Sequence, residues 1–145
     1  MTHQNQVETA VGKMVLDGLT PMRVLGSHSQ HFRLNHDHQF VLLSARDANG
    51  LWEAALHKDV ITLLRSLIEG QGELYKHHSL VLQCGEDRCW LYEVEWRQLV
   101  DLDQAVGQKI FARRPQNCSF RVWSESGQLK RTVPLNRFLD FATAA

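Results

Sequence analysis

Apolar residues recur at helical spacing in the first part of the chain, before any strand-like pattern begins. The recurring positions are Val7, Val11, Met14, Val15 and Leu19. These positions share one face of a helix, because an α-helix completes a turn in about 3.6 residues. Gly18 is a typical stop signal and Pro21 blocks continuation. The pattern therefore predicts a short amphipathic helix over residues 6–18.

The rest of the chain repeats a strand–turn–strand–helix pattern. Residues 22–35 alternate only over short stretches and predict one or two strands. From Gln39 onward the full pattern occurs three times, over residues 39–70, 79–106 and 118–142. In each of these ββα-like units, two β-rich runs flank a polar turn and an apolar-periodic segment follows. The sequence thus predicts an α+β fold with an antiparallel sheet of about six or seven strands and helices packed on it.

The first unit contains the clearest hairpin signal. Asn49 and Gly50 both tolerate the positive φ angles that a two-residue hairpin turn requires. Centring the turn there gives the cross-strand pairs Ala48–Leu51, Arg46–Glu53, Ala45–Ala54 and Leu43–Leu56. The same register predicts one core face, made of Val41, Leu43, Ala45, Trp52, Ala54 and Leu56.

The segment after this hairpin predicts a core helix. Asp59 is a typical N-cap residue and Gly70 a typical stop. Between them lies a wide apolar face formed by Val60, Ile61, Leu63, Leu64, Leu67 and Ile68.

The two later hairpins are predicted from their turns. A turn centred on Glu86-Asp87 pairs Cys84 with Cys89 and gives two apolar faces, Leu80/Leu82/Leu91 and Val81/Trp90/Tyr92. Both faces are therefore expected to be covered. A turn centred on Ser126-Gly127 directs Phe120, Val122, Leu129 and Val133 inward and Arg121, Trp123, Lys130 and Thr132 outward, with Trp123 opposite Lys130. Pro134 is then expected to begin a terminal helix.

Composition adds limits to this picture. The 145 residues are 43% apolar and carry 16 basic and 16 acidic side chains, which is unlike a disordered chain. No apolar run reaches about 18 residues, so the sequence predicts no membrane contact. It contains no secretory signal, which predicts a cytoplasmic protein whose thiols are reduced. One domain over residues 1–145 is expected, with residues 1–20 as helix and lead-in.

The neutral total charge hides an asymmetry. Residues 1–96 hold 8 basic and 12 acidic side chains, whereas residues 97–145 hold 8 basic and 4 acidic. The two parts can attract each other within the fold, or the basic part can meet a charged partner. In the second case, an acidic partner would dock on the C-terminal part of the chain.

Basic and aromatic residues of this C-terminal part are the main candidate site. They are Lys109, Arg113, Arg114, Arg121, Trp123, Lys130 and Arg131. Trp and Arg are enriched at protein interfaces. Basic side chains also neutralise phosphate, and an exposed aromatic ring can stack on a base. A Trp123–Lys130 cation–π pair on an ordinary surface would explain the same residues without any partner.

Histidines supply a second candidate. His28, His31, His36 and His38 lie close together in the sequence, with Asp37 among them. Imidazoles are ligands for Zn²⁺ and related divalent ions. The cluster matches no standard metal motif, however, and a solvated polar loop is the favoured explanation. Cys84 and Cys89 with His77 or His78 could also bind zinc or act as a redox pair, or simply fill the hairpin.

These features lead to three ranked functions. The first is a non-enzymatic cytoplasmic binding or regulatory protein without a cofactor, acting through contact with a protein or with a second copy of itself around Trp123. The second is a nucleic-acid-binding accessory protein that uses the same basic residues. The third is a metal-dependent enzyme built on the His28–His38 cluster. The sequence has no Gly-x-Ser-x-Gly, His-Glu-x-x-His or phosphate-loop motif, which favours the two non-enzymatic functions.

Overall fold

In a computed structural model, the residues described are 22–23, 30–34, 38–69, 77–104, 107–115 and 118–134. These residues form an α+β arrangement of two helices and two sheets, in which strands predominate. The predicted helix over 6–18 and the helix predicted after Pro134 lie outside the described residues.

The elements follow one another along the chain with short connections. The strands are β1 (Met22–Arg23), β2 (His31–Leu34), β3 (His38–Ser44), β4 (Arg46–Ala48), β5 (Leu51–Leu56), β6 (His77–Cys84), β7 (Asp87–Leu91), β8 (Gln108–Arg113) and β9 (Arg121–Ser124). The helices are α1 (Lys58–Glu69), between β5 and β6, and α2 (Glu93–Leu99), between β7 and β8.

One sheet has five strands, in the order β1-β2-β3-β6-β7. All its neighbours are antiparallel except β3 and β6, which run parallel over seven residue pairs from His38–His77 to Ser44–Gln83. A parallel pair needs a long crossover, and β4, β5 and α1 supply it. The prediction of a single antiparallel sheet is therefore wrong at this central pair.

The other sheet has four strands, in the antiparallel order β4-β5-β8-β9. The chain passes from the five-stranded to the four-stranded sheet at Ala45, whose N–H still donates to Gln83 of β6. Strands of one predicted ββα unit thus belong to different sheets. The prediction of three ββα units in one sheet is therefore wrong. Strands pair with partners that are distant in sequence, such as β3 with β6 and β5 with β8.

The first hairpin combines a correct turn with a partly wrong pairing. Asn49 and Gly50 have φ angles of 58° and 84°, and the pair Arg46–Glu53 is confirmed. The predicted pair Leu43–Leu56 is wrong, because Leu43 pairs with Leu82 of β6. The predicted face is nevertheless confirmed, since its members belong to or pack on one core cluster.

The second hairpin turns one residue earlier than predicted. Gly85 adopts a φ of 64°, and Cys84 pairs with Asp87 rather than with Cys89. Glycine at the first turn position favours this two-residue turn, because that position needs a positive φ. The predicted faces are confirmed, since Leu80, Leu82 and Leu91 are buried in one cluster and Val81 and Trp90 in another.

Helix α1 is the core helix that its pattern predicts. It begins at Lys58, so Asp59 lies in its first turn rather than at the N-cap, and its carboxylate accepts the N–H of Val60. A carboxylate in the first turn is favourable because the helix dipole is positive there. The buried side chains are those expected: Val60, Ile61, Leu63, Leu64 and Leu67.

The core consists of two clusters, on opposite faces of the five-stranded sheet. The larger joins this sheet to the four-stranded sheet and α1, and it includes Trp96 of α2. The smaller is formed by Phe32, Leu34, Phe40, Leu42, Val81 and Trp90. The five-stranded sheet is therefore buried on both faces, whereas the four-stranded sheet is buried on one.

Candidate functional site

The outer face of the four-stranded sheet collects most of the basic and aromatic residues singled out in the sequence. Along β8, Ile110 and Ala112 are fully buried, whereas Lys109 and Arg113 are exposed and Phe111 is half-buried. This alternation follows from the strand geometry, in which successive side chains point to opposite faces. Strand β8 therefore presents an apolar side to the core and a basic side to its surroundings.

Strand pairing brings β9 residues next to these outward side chains. Phe111 pairs with Trp123, and Arg113 pairs with Arg121. The rings of Phe111 and Trp123 stack with centroids 5.9 Å apart and planes 22° from parallel. We call these four residues and Lys109 the basic–aromatic face.

Charges on this face are unevenly compensated. Lys109 Nζ lies 3.8 Å from Glu53 Oε2 on the neighbouring strand β5. Arg113 and Arg121 stand directly opposite each other, and among the described side chains neither has an acidic partner. Like charges in directly opposed positions destabilise a sheet. The two arginines are therefore a local concentration of positive charge that an anionic group would relieve.

The neighbouring turn and α2 hold β9 in place. Ser124 Oγ donates to the carbonyl oxygen of Leu99 at 2.6 Å, and the N–H of Ser124 donates to Gly127. A Cβ on Gly127 would lie 2.6 Å from the backbone oxygen of Gln98, so only glycine permits this close approach. The hairpin that carries Trp123 thus rests on the end of α2.

Three predicted site residues are not part of this face. Arg114 forms an ion pair with Asp87 of β7, and its Nε donates to the carbonyl oxygen of Cys118 at 3.2 Å. Lys130 and Arg131 are exposed and lie between the two bridged pairs of the hairpin, Trp123–Gln128 and Phe120–Val133. The predicted Trp123–Lys130 pairing is wrong, because Trp123 bridges to Gln128.

Two members of the site were missed in the sequence. Phe111 supplies half of the aromatic stack, and Glu53 places a carboxylate beside Lys109. The signal for Phe111 was present in the alternation of residues 108–113, which is typical of a strand with one covered face.

The two described histidines of the metal candidate lie on opposite faces of the five-stranded sheet. His31 is opposite Val41, so it lies on the face of the larger cluster. His38 lies two residues before Phe40 on the same strand, so it shares the face of the smaller cluster. They cannot bind the same ion from opposite sides of a sheet. No group of three metal-ligating side chains occurs within the described ranges, and His28 and His36 lie outside them.

The rings of these histidines have hydrogen-bond partners inside the protein. His31 Nε2 lies 2.8 Å from Gln39 Oε1, and His38 Nε2 lies 2.9 Å from Ser79 Oγ. A serine beside a histidine resembles a nucleophile with its base. Ser79 is only 1% exposed, however, and its Oγ also accepts from Trp90 Nε1, so a substrate has no direct access to it.

The cysteines of the second hairpin are packing residues. Cys84 and Cys89 are buried as free thiols in the larger cluster. Burial, with a smaller contribution from Asp87, raises the pKa of Cys84 to about 12. A thiol with so high a pKa is a poor nucleophile at neutral pH, because the thiolate is the reactive form.

Comparison with protein-family models, with curated proteins and with solved structures finds no match to this chain. Neither α1 nor α2, the helices within the described ranges, is long and apolar enough to cross a membrane.

Proposed function

We propose that this protein is a non-enzymatic binding protein of the cytoplasm that recognises an acidic protein surface through its basic–aromatic face. The observation that carries the proposal is the stacked Phe111–Trp123 pair beside the opposed Arg113 and Arg121. Large aromatic side chains and arginine supply most of the binding energy at protein interfaces. Arginine also matches the geometry of a carboxylate, since its planar group donates two parallel hydrogen bonds.

A protein partner suits this face better than a nucleic acid does. Glu53 lies within the same row of paired residues as Phe111 and Trp123 and is paired with Lys109. The remaining positive charge is therefore confined to Arg113 and Arg121, whereas a phosphate backbone is bound by basic groups spread along its length. The two rings also stack on each other, whereas base stacking needs a ring face open to the base. Acidic side chains with neighbouring apolar groups complement both the arginines and the aromatic stack.

The direct test is titration of the isotope-labelled full chain with a synthetic peptide in which Glu alternates with Leu, followed by NMR. We expect the Trp123 indole and the Arg113 and Arg121 amides to shift, with an affinity that falls as salt rises. The indoles of Trp90 and Trp96, which are fully buried, should shift least. A peptide in which Lys replaces Glu should not bind.

Two variants with the same change of charge test whether the peptide binds at the basic–aromatic face. Arg121→Glu should weaken the affinity about tenfold or more, a change of roughly 1.4 kcal/mol, because it places a like charge against the peptide. Lys58→Glu makes the same charge change at an exposed position of helix α1 and should leave the affinity unchanged. Equal weakening by both variants would contradict the proposal.

Two other outcomes would overturn it. Tighter binding of oligouridylate than of the acidic peptide, with a steep salt dependence, would assign the face to nucleic acid. Self-association that broadens the Trp123 signal without any peptide would assign the face to a second copy of this chain.

A further inference from the structure

A buried chain of hydrogen bonds crosses three strands of the five-stranded sheet. His31 Nε2 on β2 lies 2.8 Å from Gln39 Oε1 on β3, and Gln39 Nε2 lies 2.8 Å from His78 Nδ1 on β6. All three side chains are at least nine-tenths buried. We call this set the His31–Gln39–His78 relay, and it takes no part in the basic–aromatic face.

The positions of the protons in the relay follow from the amide. An amide nitrogen only donates and an amide oxygen only accepts. His78 Nδ1 must therefore be unprotonated, and His31 Nε2 must carry a proton. Neutral His78 then carries its proton on Nε2, which lies 4.0 Å from Glu93 Oε1 on α2.

The same rule limits how many protons the relay can accept. His31 can take up a proton without disturbing Gln39, because its Nε2 already donates to the amide oxygen. Protonation of His78 at Nδ1 would instead set two donors against each other. The amide would then have to turn over, and His31 Nε2 would have to become an acceptor, which a protonated imidazole cannot be.

We propose that the His31–Gln39–His78 relay is an acid-sensitive latch that holds β2, β3 and β6 together with at most one added proton. A second proton would place the N–H of His78 Nδ1 against the NH₂ group of Gln39, so that two buried donors face each other. An unsatisfied buried polar group costs stability, so the second proton is taken up only as the strands separate.

Charged groups around the relay act on its protonation in both directions. Burial lowers the pKa of His78, Glu93 on α2 raises it, and His77 on β6 adds a smaller lowering. The carboxylate of Glu93 is also paired with Arg97 at 3.5 Å, and Arg33 on β2 is the register partner of Gln39. His38 belongs to the opposite face of the sheet, and the buried side chains of α1 are apolar.

Burial is the main cause that lowers the pKa of His78, ahead of these charges. A lowered pKa in the folded chain means that the unfolded chain binds the proton better. Stability from this histidine is therefore present above its ordinary pKa of about 6.5 and is lost as the pH falls.

The first test is nitrogen NMR of the imidazole rings of the wild-type chain, titrated from about pH 8 downward through the ordinary histidine pKa. At neutral pH we expect His78 to be protonated at Nε2 alone and His31 at Nε2. As the pH falls, only one of the two rings should become doubly protonated while the strands remain folded. Independent protonation of both rings in the folded chain, or a proton on His78 Nδ1 at neutral pH, would overturn the proposal.

The second test changes the amide. In Gln39→Glu the carboxylate can accept from both rings at once, so both can be charged and the acid midpoint of unfolding should shift to lower pH. His57→Gln alters an exposed histidine and should leave that midpoint unchanged. An unchanged midpoint in Gln39→Glu would contradict the latch, and the wild-type titration decides the question if this variant does not fold.

Discussion

The two sheets of this protein handle their polar side chains in opposite ways. The five-stranded sheet is buried on both faces, yet it contains His31, Gln39 and His78 joined by hydrogen bonds. The four-stranded sheet buries one face and places Arg113 and Arg121 on the other without acidic partners among the described residues. His31, Gln39 and His78 of the first sheet therefore make their hydrogen bonds within the protein, whereas Arg113 and Arg121 of the second are available for contact with another molecule.

The largest expected effect is a difference in lost stability between two tryptophan substitutions, one in each sheet. Trp90 is fully buried against Phe40, with centroids 5.0 Å apart, whereas Trp123 is half-buried. Trp90→Ala should lower the unfolding free energy by about 3–5 kcal/mol. Trp123→Ala should lower it by about 1 kcal/mol, the order of a lost aromatic pair. Urea unfolding followed by circular dichroism measures both, and equal losses would remove the distinction between the sheets.

The next effect concerns the contact between the hairpin of β9 and α2. A methyl group on Gly127 would clash with the backbone of Gln98, so Gly127→Ala should cost about 1–3 kcal/mol. The exposed Ser126→Ala next to it should cost less than about 0.5 kcal/mol. If thermal unfolding shows the same stability for both variants, the hairpin does not rest on α2 as closely as described.

A smaller effect is the dependence of stability on pH. The pKa of His78 is lowered mainly by burial, so the unfolding free energy should decline as the pH falls below about 6.5. His78→Gln should reduce this decline, and His57→Gln should not. Denaturant midpoints measured at several pH values give the slopes, and a decline that is identical in His78→Gln would show that another group is responsible.

The least perturbing comparison uses the natural cysteines. Cys118 is exposed, whereas Cys84 and Cys89 are buried, and burial raises the pKa of Cys84 to about 12. A chromogenic thiol reagent at neutral pH should therefore modify Cys118 rapidly and the other two only on unfolding. Rapid reaction of all three thiols in the folded chain would contradict the buried position of the second hairpin.

The direction of most side chains could be predicted from the sequence, because strand alternation is a local property. The core face of the first hairpin, the two faces of the second hairpin that carry Leu80 and Val81, and the apolar side of α1 are all as predicted. Each of these depends only on neighbouring residues and a fixed period.

The assignment of strands to sheets could not be predicted in the same way. Leu43 pairs with Leu82 rather than with Leu56, and this choice depends on contacts between residues far apart in the chain. Strand β8 was missed because its outward Lys109 and Arg113 make residues 107–115 resemble a polar connection between two units.

The candidate site was predictable in its chemistry but not in its geometry. The excess of basic residues over 97–145 predicts a basic site in this part of the chain, and four of the seven predicted residues share one face: Lys109, Arg113, Arg121 and Trp123. The partner of Trp123 could not be predicted, since the hairpin register depends on a turn that rests on α2.

The central claim is that the outer face of the four-stranded sheet serves binding rather than stability. Its most direct test is the affinity of Trp123→Ala for the Glu-Leu peptide, measured by calorimetry on protein whose folding has been verified. We predict a loss of at least about tenfold in affinity, with the folded structure retained. An affinity equal to that of the wild-type chain would contradict the account.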